Sequence, residues 1–365
     1  MARPWQSTAV GGILHRGCET LAGRISSIRV TMPFVRRASL RLLLGLLAVL
    51  ATVSLLWSQA QGQDDIPEGA ATISVDVDVV NILATVRDKD GRLVNNLTKD
   101  DFILEEEGEP QTITYFSRQT DLPLTLGLLV DTSVSQERLI GEETRASSQF
   151  FTQVLRLKKD LAFLISFDID VELLQDLTGS ADLLRRGLEK LQIQGGTGGL
   201  HPGPVPTSGT PPGTVLFDGV YLAADEMMRN QVGRKALVLI SDGVDSGSRV
   251  KEEKAIEAAQ RADAVIYAVR YFDRGFYYGG GGFGGAGGYG TLKTLARETG
   301  GSAFEVSRKQ PLSQIYDTIQ DELRSQYSIG YTSSNDQEGF RKIKLRTKDK
   351  KLKVQTRSGY YPRSS

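Results

Sequence analysis

The chain has 365 residues, of which 44 are basic, 44 are acidic and 40% are hydrophobic. This length and composition are typical of a folded protein of two or three domains and exclude a disordered chain. The charge is uneven, because residues 1–62 contain seven basic residues and one acid, which leaves a net charge of −6 for the remainder. That balance argues against general binding of nucleic acid.

Residues 1–62 are interpreted as a leader with an export signal. Arg36, Arg37 and Arg41 precede the apolar run 42–57, and small residues at 58–62 have the spacing of a cleavage site. If this segment is not cleaved, it is an N-terminal membrane anchor, although the run is short for a membrane span. The signal begins far into the sequence, so the true start is expected at Met32. We therefore expect an exported protein that is periplasmic, at the cell surface or secreted.

Loss of the leader would also limit the chemistry of the mature chain. Cys18 and His15 would be removed, leaving no cysteine and His201 as the one histidine. Thiol nucleophiles, disulfides and Cys/His zinc sites are then excluded. His201 lies in a stretch rich in Gly and Pro without a nucleophile motif, and we interpret it as a solvated loop residue.

Residues 70–120 are predicted to form the first segment of a small β-sandwich. Apolar and polar residues alternate in four or five short runs separated by turn signals, at residues 73–79, 82–86, 102–106 and 111–116. Glu105–Glu107 is interpreted as a solvated strand end, with a docking site for a partner as the alternative.

Residues 121–325 alternate strand and helix patterns. This predicts an α/β domain with a doubly wound, mostly parallel sheet and helices on both faces. The predicted strands are at 124–130, 161–167, 171–177, 235–241, 264–269 and 302–306. The predicted helices are at 137–157, 181–191, 215–228, 251–262 and 310–323. A tight hairpin at Asp168–Asp170 should place the strand 171–177 antiparallel at the edge of the sheet.

Two glycine-rich stretches interrupt this domain, at 195–213 and 275–290. They are predicted to be mobile loops, either as rim loops that select a partner or as tolerated surface insertions.

Residues 326–361 return to strand patterns. Alternating runs at 343–347 and 352–356 flank Lys348–Lys351, which predicts a basic-faced hairpin. Solvation of this face is the simplest interpretation, and an acidic polymer or a membrane is the alternative. We expect the tail to complete the sandwich begun near residue 70, so that the α/β domain is inserted between the two flanking segments.

Three predicted loops offer oxygen donors at the same edge of the sheet. Asp131, Ser133 and Ser135 follow the first buried strand, Asp242 follows the strand 235–241, and Thr214 lies at the start of a helix. Carboxylate and hydroxyl oxygens suit a hard divalent cation such as Mg²⁺. Taken alone, Asp-x-Ser-x-Ser is typical of a helix N-cap and Ser-Asp-Gly of a turn, but all three loops together favour a metal site.

These residues resemble a known motif. Asp-Thr-Ser-Val-Ser at 131–135, Gly-Thr-Val-Leu-Phe-Asp at 213–218 and Leu-Ile-Ser-Asp-Gly at 239–243 are similar to the metal-ion-dependent adhesion site of von Willebrand factor type A domains. The resemblance covers roughly residues 122–324. More narrowly, the mature chain resembles the bacterial, acidobacterial-type von Willebrand factor A-related proteins, which are exported.

The resemblance implies a role for each residue of the motif. Ser133 and Ser135 would bind Mg²⁺ directly, Thr214 directly or through water, and Asp131 and Asp242 mainly through water, with Mn²⁺ or Ca²⁺ as alternative ions. A vacant coordination position would accept a carboxylate from a partner protein. Neutral hydroxyl ligands leave the ion most of its charge for that incoming acid.

The sequence therefore predicts an exported adhesion or scaffolding protein that is not an enzyme. Its partner would be a protein that supplies a carboxylate, and a membrane would be contacted only through an uncleaved N-terminal anchor. One alternative is a metal-dependent phosphoester hydrolase. It is disfavoured because the sequence shows no evident general base, phosphate-binding lysine or phosphate-binding loop at the predicted site. The other is a structural envelope subunit whose metal site is idle.

Overall fold

The computed structural model describes residues 79–118, 122–193, 213–272, 288–335 and 337–362. The predicted leader, Cys18, His201 and most of both glycine-rich loops lie outside these residues. Among the helices that are described, none has the length and apolar character needed to cross a membrane.

The described residues contain strands and helices in the following order. The strands are β1 Val79–Arg87, β2 Phe102–Glu106, β3 Glu109–Gln111, β4 Tyr115–Arg118, β5 Leu124–Asp131, β6 Leu161–Phe167, β7 Val171–Thr178, β8 Arg234–Ser241, β9 Ala264–Arg270, β10 Ala303–Glu305, β11 Tyr327–Thr332, β12 Arg341–Thr347, β13 Lys353–Thr356 and β14 Gly359–Tyr360. The helices are α1 Ile140–Val154, α2 Ala181–Leu188, α3 Leu216–Leu222, α4 Glu252–Arg261, α5 Gly288–Thr299 and α6 Leu312–Arg324. A π-helical segment, Ala223–Met228, continues α3.

A six-stranded sheet forms the centre of the α/β domain, in the order β10-β9-β8-β5-β6-β7. All neighbouring strands are parallel except β6 and β7, which form the antiparallel hairpin predicted at the edge. From the centre, the chain runs outward through β5, β6 and β7 on one side and through β8, β9 and β10 on the other, so the strand order reverses between β5 and β8. Both of these central strands are buried along their whole length. In a sheet of this kind, ligands bind beyond the carboxyl ends of the strands at this point of reversal.

Helices cover both faces of the sheet, as predicted. The core on one face joins the sheet to α1, α2 and α6 through residues such as Phe150, Leu184 and Ile319. The core on the other face joins it to α3, α4 and α5 through Leu216, Ala259 and Leu292. The two cores hold the six strands as one rigid layer, so the loops at its carboxyl edge have fixed starting points.

Strands from both ends of the described chain form the β-sandwich. One sheet has the order β13-β1-β11-β4 and the other the order β14-β12-β2-β3. Strand β1 pairs antiparallel with β11 and β13, and β2 pairs antiparallel with β12. Their inward side chains form a third core that includes Ile82, Leu104, Tyr327 and Ile343. The prediction that the two flanking segments build one sandwich is confirmed.

Several local predictions were wrong. Strands β12 and β13 do not form a hairpin ladder, because they belong to opposite sheets and direct their apolar residues into the core between them. The second glycine-rich loop was predicted to extend to residue 290, but helix α5 begins at Gly288. The rest of this helix was not predicted, although Leu292, Leu295 and Ala296 have helical spacing and are buried. Glu106 is not solvated, because Tyr331 Oη and Ser333 Oγ donate to its carboxylate at 2.6 and 2.9 Å.

An ion pair joins the sandwich to the α/β domain. Arg87 on β1 donates to Glu322, which lies near the end of α6 and is fully buried. The hydroxyl of Ser302 lies 3.0 Å from both oxygens of that carboxylate, and Gln355 on β13 donates to Ser302 Oγ at 2.9 Å. Burial raises the pKa of Glu322, while Arg87 and Ser302 act in the opposite direction. The carboxylate therefore depends on its partners in both parts of the protein.

We predict that Glu322→Ala lowers the free energy of unfolding by about 3 kcal/mol, because it leaves Arg87 and Ser302 without their shared acceptor. Urea-induced unfolding measures this change. As a control, Asp182→Ala breaks an exposed pair with Arg185 and should change stability by less than about 0.5 kcal/mol. Equal effects of the two substitutions would contradict the role given to Glu322.

Candidate metal centre

The first loop begins where β5 ends at the buried Asp131. The backbone N–H of Ser133 donates to Asp131 Oδ1 at 2.9 Å, and Ser241 Oγ donates to Oδ2 at 2.6 Å. Ser241 is the last residue of β8. The Asp131 carboxylate therefore bonds to the end of the neighbouring strand and is fixed at the point of strand reversal.

The two serines of the first loop contact each other, and Ser135 also contacts the third loop. Ser133 Oγ lies 3.0 Å from Ser135 Oγ, and Ser135 Oγ donates to Asp242 Oδ2 at 2.8 Å. The Ser133 side chain makes no capping hydrogen bond to the short 3-10 turn Val134–Gln136 that follows it. The alternative interpretation of this motif as a simple helix N-cap is therefore wrong.

The third loop turns sharply after Asp242. Asp242 Oδ1 accepts from the N–H of Val244 at 2.9 Å, and Gly243 N–H donates to Ser241 Oγ at 3.0 Å. Gly243 has a φ of +86°, and a Cβ there would lie 2.2 Å from the carbonyl oxygen of Gly288. A side chain would therefore be strained by the backbone conformation and by the approach of α5, so the turn requires glycine.

The second loop is attached to the third loop and to the β6–β7 hairpin. Thr214 N–H donates to Ser246 Oγ, and Ser246 N–H donates to the Thr214 carbonyl, both at 3.0 Å. Val215 N–H donates to the carbonyl of Asp168 at 2.6 Å. Thr214 is buried, and these contacts fix its backbone beside the loop that carries Asp242.

Sequence reasoning missed several residues that build this edge. Ser241 links Asp131 to the turn after Asp242, as described above. Ser248 Oγ accepts from the N–H groups of Phe217 and Asp218 at 3.0 and 3.2 Å, so it caps α3 from the third loop. The Asp218 carboxylate in turn accepts from the N–H of Arg249. The serine-rich run after Asp242 was the available signal, but its partners lie about 30 residues away in the sequence.

Asp168 and Asp170 were predicted to be turn residues, and their contacts agree. Asp168 N–H donates to the Asp170 carbonyl at 3.1 Å, and Asp168 Oδ1 accepts from the N–H groups of Ile169 and Asp170.

The electrostatics of the edge are unfavourable without a cation. Burial raises the pKa of Asp131 to about 7, the charge of Asp242 adds to this effect, and the hydrogen bonds from Ser133 and Ser241 oppose it. Two carboxylates in a buried position repel each other, so a divalent cation or a proton would stabilise them. The donor set of two carboxylates and several hydroxyls is all oxygen and fits a hard cation.

Hydroxyl groups are essential to this candidate site. Among the described residues, no group of three or more His, Cys, Asp or Glu side chains is arranged to hold a metal ion. Any ion at this edge would therefore depend on the serines and on Thr214 as well as on Asp131 and Asp242.

Several solved structures are similar to this one at low sequence identity. Proximal thread matrix protein 1 from the mussel byssus, in a form with a zinc-occupied MIDAS motif, has a TM-score of 0.43 and 13% identity over 60% of this chain and 50% of that chain. BatB from Bacteroides thetaiotaomicron has a TM-score of 0.37 and 16% identity over 55% and 97% of the two chains. The vWF domain of the type V pili tip protein Mfa5 from Porphyromonas gingivalis has a TM-score of 0.40 and 12% identity over 55% and 95%.

The present chain thus spans about half the length of the mussel protein. No protein-family model and no curated protein matches the sequence. The narrower resemblance to the acidobacterial-type group stays a prediction.

These TM-scores are too low to carry an argument. The chain's own strand order and helices show the fold that the alternating pattern predicted, with a mostly parallel sheet, one antiparallel edge strand and helices on both faces. The chain therefore contains the doubly wound α/β domain that the sequence predicted, and its membership of the von Willebrand factor type A family stays a prediction.

Proposed function

We propose that this protein is an exported adhesion or scaffolding protein that binds an acidic side chain of a partner protein through Mg²⁺. The ion would be held at the carboxyl edge of the sheet by Ser133, Ser135 and Thr214, with Asp131 and Asp242 bonding mainly to its waters. Export is inferred from the leader sequence, and Mn²⁺ or Ca²⁺ are alternative ions. A phosphoester hydrolase is the competing function, which a turnover screen would detect.

One observation carries this proposal. Asp131 and Asp242 come from strands β5 and β8, and Ser241 and Ser135 hold one carboxylate each through bonds of 2.6 and 2.8 Å. Both bonds cross between the first and third loops, so the oxygens are positioned before any ion binds. Such preorganisation lowers the free-energy cost of ordering the ligands.

The protein residues would have distinct tasks when the ion is present. A bound divalent cation supplies a positive charge that an incoming carboxylate can ligate. Ser133 and Ser135 would contribute neutral oxygens. The Asp242 carboxylate orients the Ser135 hydroxyl, and Asp131 accepts from the Ser133 N–H and the Ser241 hydroxyl. The cross-loop bonds keep the three loops at a fixed separation while the partner approaches.

A second buried acid interacts electrostatically with Asp131. Glu143 on α1 is fully buried, and neither of its carboxylate oxygens has a hydrogen-bond partner among the described residues. Burial raises its pKa well above the usual range, and the charges of Asp131 and Glu142 raise it further. A cation at the centre would partly offset this repulsion.

We predict that Mg²⁺ stabilises the wild-type protein against unfolding by about 2.7 kcal/mol at 100 times its dissociation constant. The double substitution Ser133→Ala and Ser135→Ala should abolish this shift, because it removes two of the three proposed hydroxyl ligands. Thermal unfolding with Mg²⁺ and with EDTA measures the difference. Thr152→Ala, which removes an exposed hydroxyl bonded within α1, should retain the full shift. An unchanged shift in the double variant would contradict the site.

The raised pKa of Glu143 gives a pH-dependent prediction. Its folded-state pKa exceeds its unfolded value, so folding takes up a proton and stability falls as the pH rises from the unfolded pKa to the folded one. Glu143→Gln should therefore stabilise the protein in EDTA more at pH 8 than at pH 5, as measured by urea unfolding. Glu137→Gln alters an exposed acid and should show no such pH dependence. A pH-independent effect of Glu143→Gln would be the contrary result.

The partner chemistry has its own test. A photo-cross-linker at Glu137, two residues beyond Ser135, should capture a partner in intact cells. Capture should be lost with EDTA and in the Ser133→Ala, Ser135→Ala variant, and a glutamate-rich peptide should compete in the presence of Mg²⁺. The same cross-linker at Thr152 is the control. Capture that survives the serine substitutions would favour a structural subunit with an idle metal site.

A further inference from the structure

The edge of the central sheet opposite the candidate metal centre exposes aliphatic side chains. Leu157 and Val232 are 89% and 80% exposed, the two highest values among the large hydrophobic residues described. Leu122 and Leu161 are also exposed. All four lie at or just before the amino ends of β5, β6 and β8. Single exposed apolar residues are ordinary, but a group at one edge indicates an interaction surface.

These four residues, called the basal patch, lie on neighbouring loops. Arg156 Nη2 donates to the Leu122 carbonyl at 2.6 Å, and Arg234 Nη2 donates to the same carbonyl at 3.3 Å. In the sheet, Thr125 is paired with Leu161, and Leu124 with Arg234. Neighbouring strands are about 4.8 Å apart, so the three strands begin side by side and their loops form one surface.

Positive charge surrounds the basal patch. Leu157 lies between Arg156 and the pair Lys158 and Lys159 in the sequence, and Lys158 is exposed. The pKa of Arg234 is lowered, first by burial and then by the charge of Arg156, with a smaller effect of Arg324 in the same direction. Asp160 opposes the effect, but its buried carboxylate already binds Arg156. Several basic side chains therefore lie close together beneath the exposed aliphatic residues of the basal patch.

The start of strand β1 lies beside the basal patch. Val79, where β1 begins, lines a cleft of about 560 Å³ together with Val232 and Asp263. Val79, the first residue that the structure describes, therefore lies next to the basal patch.

We propose that the basal patch seats the protein on an anionic phospholipid bilayer. Leu157 and Val232 would enter the apolar layer, while the neighbouring Lys158 and Lys159 would lie among the lipid phosphates. Exposed aliphatic residues flanked by cations match the apolar and anionic layers of such a surface. The candidate metal centre, at the other edge of the sheet, would then face away from the bilayer. This proposal does not depend on the metal or on the protein partner.

The test locates the patch on vesicles with a fluorescent label. In the full chain with Cys18→Ser, an environment-sensitive dye is attached to Leu157→Cys or, as a control, to Ile169→Cys. Ile169 is 52% exposed in the β6–β7 hairpin, at the opposite edge of the sheet. On vesicles of equal parts phosphatidylglycerol and phosphatidylcholine, the dye at 157 should shift to the blue and be quenched by brominated acyl chains. The dye at 169 should do neither, even if the leader binds both proteins to the vesicles.

Charge variants test the role of the basic residues. Lys158→Gln with Lys159→Gln should weaken the response of the dye at 157 about 10-fold or more in lipid concentration. Lys350→Gln with Lys351→Gln, which alters exposed lysines near the start of β13 in the sandwich, should leave it unchanged. An equal response on pure phosphatidylcholine would overturn the role of lipid charge.

Two other results would overturn the proposal itself. If the dye at 157 is as exposed to water on vesicles as the dye at 169, the patch does not contact lipid. If the dye at 157 shifts to the blue without vesicles as the protein concentration rises, the patch binds a second copy of the chain instead.

Discussion

The candidate site depends on the bonds that join the ends of β5 and β8. Ser241, at the end of β8, donates to Asp131 at the end of β5. Ser135, in the loop after β5, donates to Asp242 in the loop after β8. Each side therefore supplies a hydroxyl that holds the carboxylate of the other side. This reciprocal arrangement brings two acids together in a buried position, where burial and mutual repulsion raise the pKa of Asp131. The strand pairing fixes the distance between the acids, and the hydroxyls fix their orientation. A cluster of buried carboxylate and hydroxyl oxygens at the carboxyl edge is the result.

The surrounding fold makes this arrangement rigid. Separate apolar cores on the two faces prevent the sheet from bending, and Gly243 allows α5 to approach the third loop closely. The sandwich is fixed to the far end of α6 through Arg87 and Glu322. Movement of α6 would therefore disturb a buried ion pair as well as apolar packing. The flanking strands thus support the α/β domain and do not act as an independent appendage.

The two edges of the central sheet have opposite chemical character. The carboxyl edge collects acids and hydroxyls, whereas the amino edge collects arginines, lysines and exposed aliphatic residues. Parallel strands all point in the same direction. Residues that follow the strands are therefore separated from residues that precede them by the length of the strands. The proposed partner site and the proposed bilayer contact would therefore lie at opposite edges and would not compete for the same surface.

The sequence by itself determined the parts of this protein that depend on local pattern. Buried runs predicted β5 and β8, the alternation of strands and helices predicted the α/β domain, and acids at two strand ends pointed to Asp131 and Asp242. The returning strand pattern after α6 also predicted that the tail would complete the sandwich. These features could be predicted because hydrophobic periodicity and strand-terminal polar residues are written in consecutive positions.

Only the tertiary structure decided which distant residues meet. It placed β12 and β13 in opposite sheets, buried Glu106 and Glu143, and made Ser248 cap a helix that lies about 30 residues earlier in the chain. It also brought the loops before β5, β6 and β8 together into one exposed apolar edge. None of these outcomes has a local signal, because a side chain's burial and partners depend on how whole elements pack, which the pattern of neighbouring residues does not contain.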